Sequence, residues 1–161
     1  AQNVGASRYD RLNKGIYSAS LMGFGYSLLA FGVAWFFGRS LTGLFVSGGS
    51  SAQLVELAQT YMITNVLAYP LLTLVNVVRF MIQGMGFSMF AILAGVMEMA
   101  ARSLAGMFLV PALGYFGAAL GSPLAWVAAD LFLVPAYFRC RRVLMSQSHH
   151  LHVTGERAEL N

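Results

Sequence analysis

Residues 17–37 read YSASLMGFGYSLLAFGVAWFF, and no charged side chain interrupts them. A helix needs about 20 predominantly apolar residues to cross the hydrocarbon core of a bilayer. The run is too long for the apolar part of a secretory signal, which is short and ends at a small-residue cleavage site. It reads as a transmembrane helix.

Three more runs of this kind follow. Residues 61–83 contain Pro70 and Arg79; residues 88–110 contain Glu98 and Arg102; residues 115–138 contain Pro123, Asp130 and Pro135. Of the 161 residues, 58% are hydrophobic and 10% charged, and the mean hydropathy is +0.67. A soluble domain carries roughly 25% charged residues, so this chain lacks the charge to coat a water-facing surface. The expected fold class is all-α, a polytopic transmembrane helical bundle of four spans.

The formal net charge is +4, yet the basic residues sit at the ends of apolar runs. That placement fits membrane topology and excludes a nucleic-acid surface. A single cysteine, Cys140, excludes an internal disulfide framework. Between the first two spans lies a loop marked SGGSS, with Ser50 or Ser51 positioned to cap a following helical turn. GMGF and PALG read as tight turns. Residues 1–15 read as a polar loop, and residues 145–161 as a disordered tail.

An even number of spans puts both chain ends on one side. Arg8, Arg11 and Lys14 precede the first span, and Arg139, Arg141 and Arg142 follow the fourth. The loop after span one carries only Arg39. The positive-inside rule therefore predicts a multi-pass cell-membrane protein with both termini cytoplasmic. Glycines within the spans predict close helix–helix approach.

Arg79, Glu98, Arg102 and Asp130 are the charges a lipid-facing helix would not keep, at about 2.5–3.5 kcal/mol or more each at the centre of a span. Glu98 and Arg102 share a face at i,i+4 spacing, and depth counting brings Arg79 and Asp130 to the same level for a cross-helix contact. Two readings stay open: Arg79 and Arg102 lock the helices in structural ion pairs, or Glu98 and Asp130 take a coupling proton or sodium ion. Pro70, with Asn65 and Asn76 nearby, marks a helix break that is either a satisfied kink or part of a substrate cavity or hinge. The tail histidines 149, 150 and 152 lack an acid or cysteine ligand close by, so no metal site is expected. No nucleophile–base pair or phosphate loop stands out, and the chain does not read as an enzyme.

The opening AQNVGASRYDRLNKG resembles the segment after the second helix of each lobe in the multidrug and toxic compound extrusion (MATE) transporters. The resemblance falls on Gln2, Gly5, Ala6 and Arg11, with Arg8 beside it. RFMIQGMGFSMFAILAGVMEMAAR, with Gln83, Gly84 and Gly86, is similar to the family's turn between the fourth and fifth helices of a lobe. PALGYFGAALGSPLAWVAAD is similar to its outer turn and last helix. The AQN form and the basic tail point to the second lobe. The resemblance implies helices nine to twelve of a twelve-helix, two-lobe antiporter, with eight further helices as structural partners and membrane lipid around them. It implies export of drugs and other amphipathic or cationic small molecules by alternating access, coupled to Na+ or H+ and without a cofactor. The chain departs from the family where some members carry a coupling acid in the tenth helix: the corresponding 61–83 has none. The absence of an initiator Met and the loop-like start fit an internal piece of a longer chain. Two alternatives remain: a lipid or polysaccharide-precursor flippase of the same superfamily, and a non-transporting four-helix membrane scaffold.

Overall fold

In lipid a backbone N–H or C=O has no water to bond, so a chain this apolar satisfies its peptide groups in helices. The computed structural model describes the backbone of residues 2–6, 8, 10–45 and 52–159, and the side chains of 2–6, 8, 11–44 and 52–146. It is all-α: α1 (Gln2–Gly5), α2 (Asp10–Phe45), α3 (Ala52–Leu67), α4 (Tyr69–Gly84), α5 (Ser88–Leu104), a π-helical turn (Ala105–Leu109), α6 (Val110–Leu113) and α7 (Tyr115–Glu159). α2, α5 with its continuation to Leu113, and α7 are each long and apolar enough to cross a membrane. α3 and α4, bent by 47° at their junction, together make a fourth crossing.

The second expected span is thus two helices, and Pro70 explains why. Proline has no N–H to give the carbonyl four residues back, and its ring crowds that carbonyl. α3 therefore ends at Leu67, and α4 restarts with the proline in its first turn, where no intrahelical N–H is required. Ala68 bridges the break: its N–H bonds to Asn65 O at 3.0 Å, and its carbonyl accepts from Leu71 N at 3.0 Å.

Pro111 has a similar effect at the end of the third span. Just ahead of it the helix widens to π register, and Val110 N–H bonds to Ala105 O. PALG, expected as a tight turn, is largely helical, and the chain reverses at Gly114. Gly114 has φ +59°, a backbone state that a side chain would strain. The following helix presses close: a Cβ on Gly117 would collide with the Leu109 backbone carbonyl.

Three further boundaries differ from the sequence expectation. The 1–15 segment is helical at Gln2–Gly5 and again from Asp10. The loop between the first two spans is shorter than expected, because α3 begins at Ala52; the SGGSS loop with Ser50 and Ser51 lies outside the described residues. The backbone of 145–159 continues α7, since no proline or glycine interrupts the sequence between Ala136 and Thr154. The side chains of His149, His150 and His152 also lie outside the described ones.

α4 lies between α2 and α7 and touches both, while α5 runs along α7. Ile82, Leu133, Val75 and Cys140 are the largest fully buried side chains. Ala94, Ala125 and Ala129 are wholly enclosed and let the backbones approach. Lipid tails are as apolar as leucine, so this closeness stabilises through van der Waals contact rather than water exclusion. Large apolar side chains on α2, such as Leu21, Leu28 and Phe36, point away from the core.

Gly117→Ala is expected to lower the melting temperature in detergent, with an overpacking cost of about 1–3 kcal/mol. Gly25→Ala, where nothing lies within 4 Å of the added carbon, is the matched control and should leave it unchanged or slightly higher.

Candidate functional site: a broken helix, an ion triad and an unpartnered acid

The break at Ala68 opens onto a groove between α2 and α4. Gly23 is the reason the two helices come close there. A Cβ at Gly23 would collide with the Thr73 methyl group, and without one the Thr73 hydroxyl approaches the Gly23 carbonyl at 3.4 Å. Ser27, one turn along α2, donates to the same carbonyl at 2.8 Å and shares a 3.2 Å hydrogen bond with Thr73. The cavity beside this cluster is about 420 Å³, within the ordinary range for small-molecule sites. Tyr26, Tyr69 and Asn76 also line it. Its polar groups are hydroxyls and an amide, and none of the residues lining it is charged.

Asn76 therefore does reach a cavity, and its Nδ2 is tied back to Leu72 O at 3.0 Å. Asn65 is buried and bonds Tyr61 O at 2.9 Å, so it steadies the end of α3. Pro70 shapes the break from the first turn of α4. Gly23 was among the span glycines expected to let helices approach; Ser27 was not singled out from the sequence. Its signal was available in Ser20, Gly23 and Ser27, small residues at i, i+3 and i+7 on one helix face.

The intramembrane charges pair differently from the depth-based expectation. Glu98 is buried and accepts from two arginines: Arg79, across from α4, and Arg102, one turn along α5 at 3.3 Å. The Glu98–Arg102 pair is the expected one. The expected Arg79–Asp130 contact is replaced by Arg79–Glu98. Depth fixes the level of a side chain but not the rotation of its helix, and α4 and α5 form a hairpin through the turn at residues 85–87. Arg79 thereby reaches the adjacent helix.

Asp130 is left without a partner. It is 8% exposed, and neither carboxylate oxygen has a hydrogen-bond donor. It lies on the inward stripe of α7 with Trp126, Ala129, Leu133 and Tyr137. A buried, unpaired carboxylate is costly as an anion, and uptake of a proton or a metal cation removes that cost. Among the described residues, no group of three or more metal-ligating side chains forms.

Gln2 and Gly5 bound α1, and Ala6 N bonds to Gln2 O at 3.0 Å, so Gly5 and Ala6 close that turn. Arg11 is exposed near the start of α2. Gln83 and Gly84 end α4, and Gly86 takes φ +93° in the turn that follows.

A bundle of membrane-length helices with a broken crossing and charges buried between them defines a polytopic membrane protein. The MatE family model matches residues 1–99, more than half of the chain. The chain belongs to that family, whose members are membrane transporters. No curated protein and no solved structure gives a significant match.

Removing Arg79 leaves the buried Glu98 with only the more exposed Arg102 as partner. Arg79→Gln should therefore destabilise the protein by about 3 kcal/mol. Arg102, whose side chain is 48% exposed and whose contact with Glu98 is 3.3 Å, sits at the edge of the cluster, and Arg102→Gln should cost less than Arg79→Gln. Unfolding of the two variants in detergent, followed by circular dichroism, checks the order.

Proposed function

We propose that this chain is part of a cation-coupled antiporter that exports drug-like, amphipathic or cationic compounds by alternating access. Asp130 is the group that takes up the coupling proton or sodium ion. The observation that carries this reading is the contrast between the two buried acids. Glu98 is held by two arginines, which makes it a structural tie. Asp130 has both oxygens unsatisfied. A proton or cation at Asp130 removes the cost of burying an unpaired carboxylate.

In this reading the junction at Ala68 serves as the hinge. Its backbone is already released from helical pairing on one side, so α3 and α4 change their mutual angle without breaking a continuous ladder. The groove beside it, walled by Tyr26 and Tyr69, offers aromatic faces and hydroxyls to an amphipathic substrate. The remaining helices of the two-lobe transporter would complete the cavity. The flippase alternative draws less support, because the two arginines inside the spans are engaged by Glu98 rather than offered to an anionic head group. The non-transporting scaffold is disfavoured by membership of a transporter family.

The test uses the protein in proteoliposomes, with sodium and proton gradients imposed separately and a fluorescent cationic dye as substrate. One gradient should drive dye movement, and Asp130→Asn should still bind dye while losing its response to that gradient. Undiminished gradient-driven transport by Asp130→Asn would remove Asp130 from the coupling role. Failure of either gradient to move any dye would count against the antiporter itself.

A further inference from the structure

One end of the bundle gathers six basic residues. Arg8, Arg11 and Lys14 lie at and before the start of α2, and Arg139, Arg141 and Arg142 lie where the apolar part of α7 gives out. The Tyr137 hydroxyl donates to Asn13 Oδ1 at 2.8 Å, so the two groups of cations stand side by side. Asp10, between Arg8 and Arg11, is the one acid within either group, and its side chain lies outside the described ones. Among the described residues both ion pairs belong to Glu98, and these six cations make none. Five of them are exposed; Arg141 is half-buried, and its Nε is shut off from solvent with no hydrogen-bond partner. The opposite end has no such excess, since Arg39 and Glu56 line one small cavity together.

We propose that this end of the bundle binds the phosphate head group of an anionic phospholipid, held between Arg141 on α7 and Arg11 and Lys14 on α2. Arg141 is one helical turn beyond Tyr137, on the face that Tyr137 turns toward α2. Its guanidinium is planar and multidentate, suited to a phosphate ester. Lys14 directly follows Asn13, the Tyr137 partner, and adds a second charge at the same level. The acyl chains of such a lipid would lie along the outward apolar face of α2, where Tyr17 and Leu21 are exposed. Basic clusters at the polar edge of a membrane helix attract anionic lipid in this way, each side chain contributing separately.

Native mass spectrometry of the purified protein, released from detergent with equal amounts of phosphatidylglycerol and phosphatidylcholine, tests the proposal. Phosphatidylglycerol should be retained in preference. Arg141→Gln and Lys14→Gln should each weaken that preference about fivefold. Arg39→Gln at the other end should leave it intact, and inorganic phosphate should not displace the lipid. Should Arg141→Gln fail to fold by circular dichroism, the exposed Lys14 decides the question alone. Equal retention of the two lipids, an equal loss in Arg39→Gln, an unchanged preference in Lys14→Gln, or displacement by free phosphate would each overturn the proposal.

Discussion

A peptide group in hydrocarbon must find its hydrogen bond within the protein, and that demand shapes every element of this chain. Where the sequence supplies an N–H at each position, as from Asp10 to Phe45, one helix runs without interruption. α7 runs on through Pro123 and Pro135, but at the other two prolines the structure yields locally. At Pro70 it restarts the helix and bends it by 47°, with Ala68 serving both sides of the gap. Ahead of Pro111 it loosens one turn to π register and then reverses at Gly114. Both departures change the direction of the chain.

The same scarcity of partners governs the side chains. Glu98 collects Arg79 and Arg102, so three charges meet at one place between α4 and α5. Hydroxyls follow the rule in smaller ways: Ser27 and Thr73 converge on the Gly23 carbonyl, and Thr42 donates to Gly38 O at 2.8 Å. Against this background an acid that takes no partner stands apart. Asp130 is held on the inward face of α7, between the buried Ala129 and Leu133, and its burial comes with the packing of that stripe.

The transporter class was legible in AQNVGASR and in the Gln83–Gly86 turn, and the family match covers both. The acids and Pro70 were legible as costly or disruptive residues in apolar runs. The groove was not, because it depends on Gly23 meeting Thr73 from a different helix. Nor was the choice of partner for Arg79. An inward stripe at Trp126, Ala129, Asp130, Leu133 and Tyr137 was present in the spacing and would have placed Asp130 on the packed face of its helix.

By itself the sequence determined that the chain is helical and membrane-embedded, where its runs begin to be apolar, and at which prolines a break could fall. Those are properties of single segments, set by hydropathy and by the missing amide of one residue type. The tertiary structure decided which charges neutralise each other and which one is left over. It also decided which two helices close on a glycine. Each of these depends on how helices are rotated against one another, and rotation is fixed only when close-packed surfaces from several segments meet.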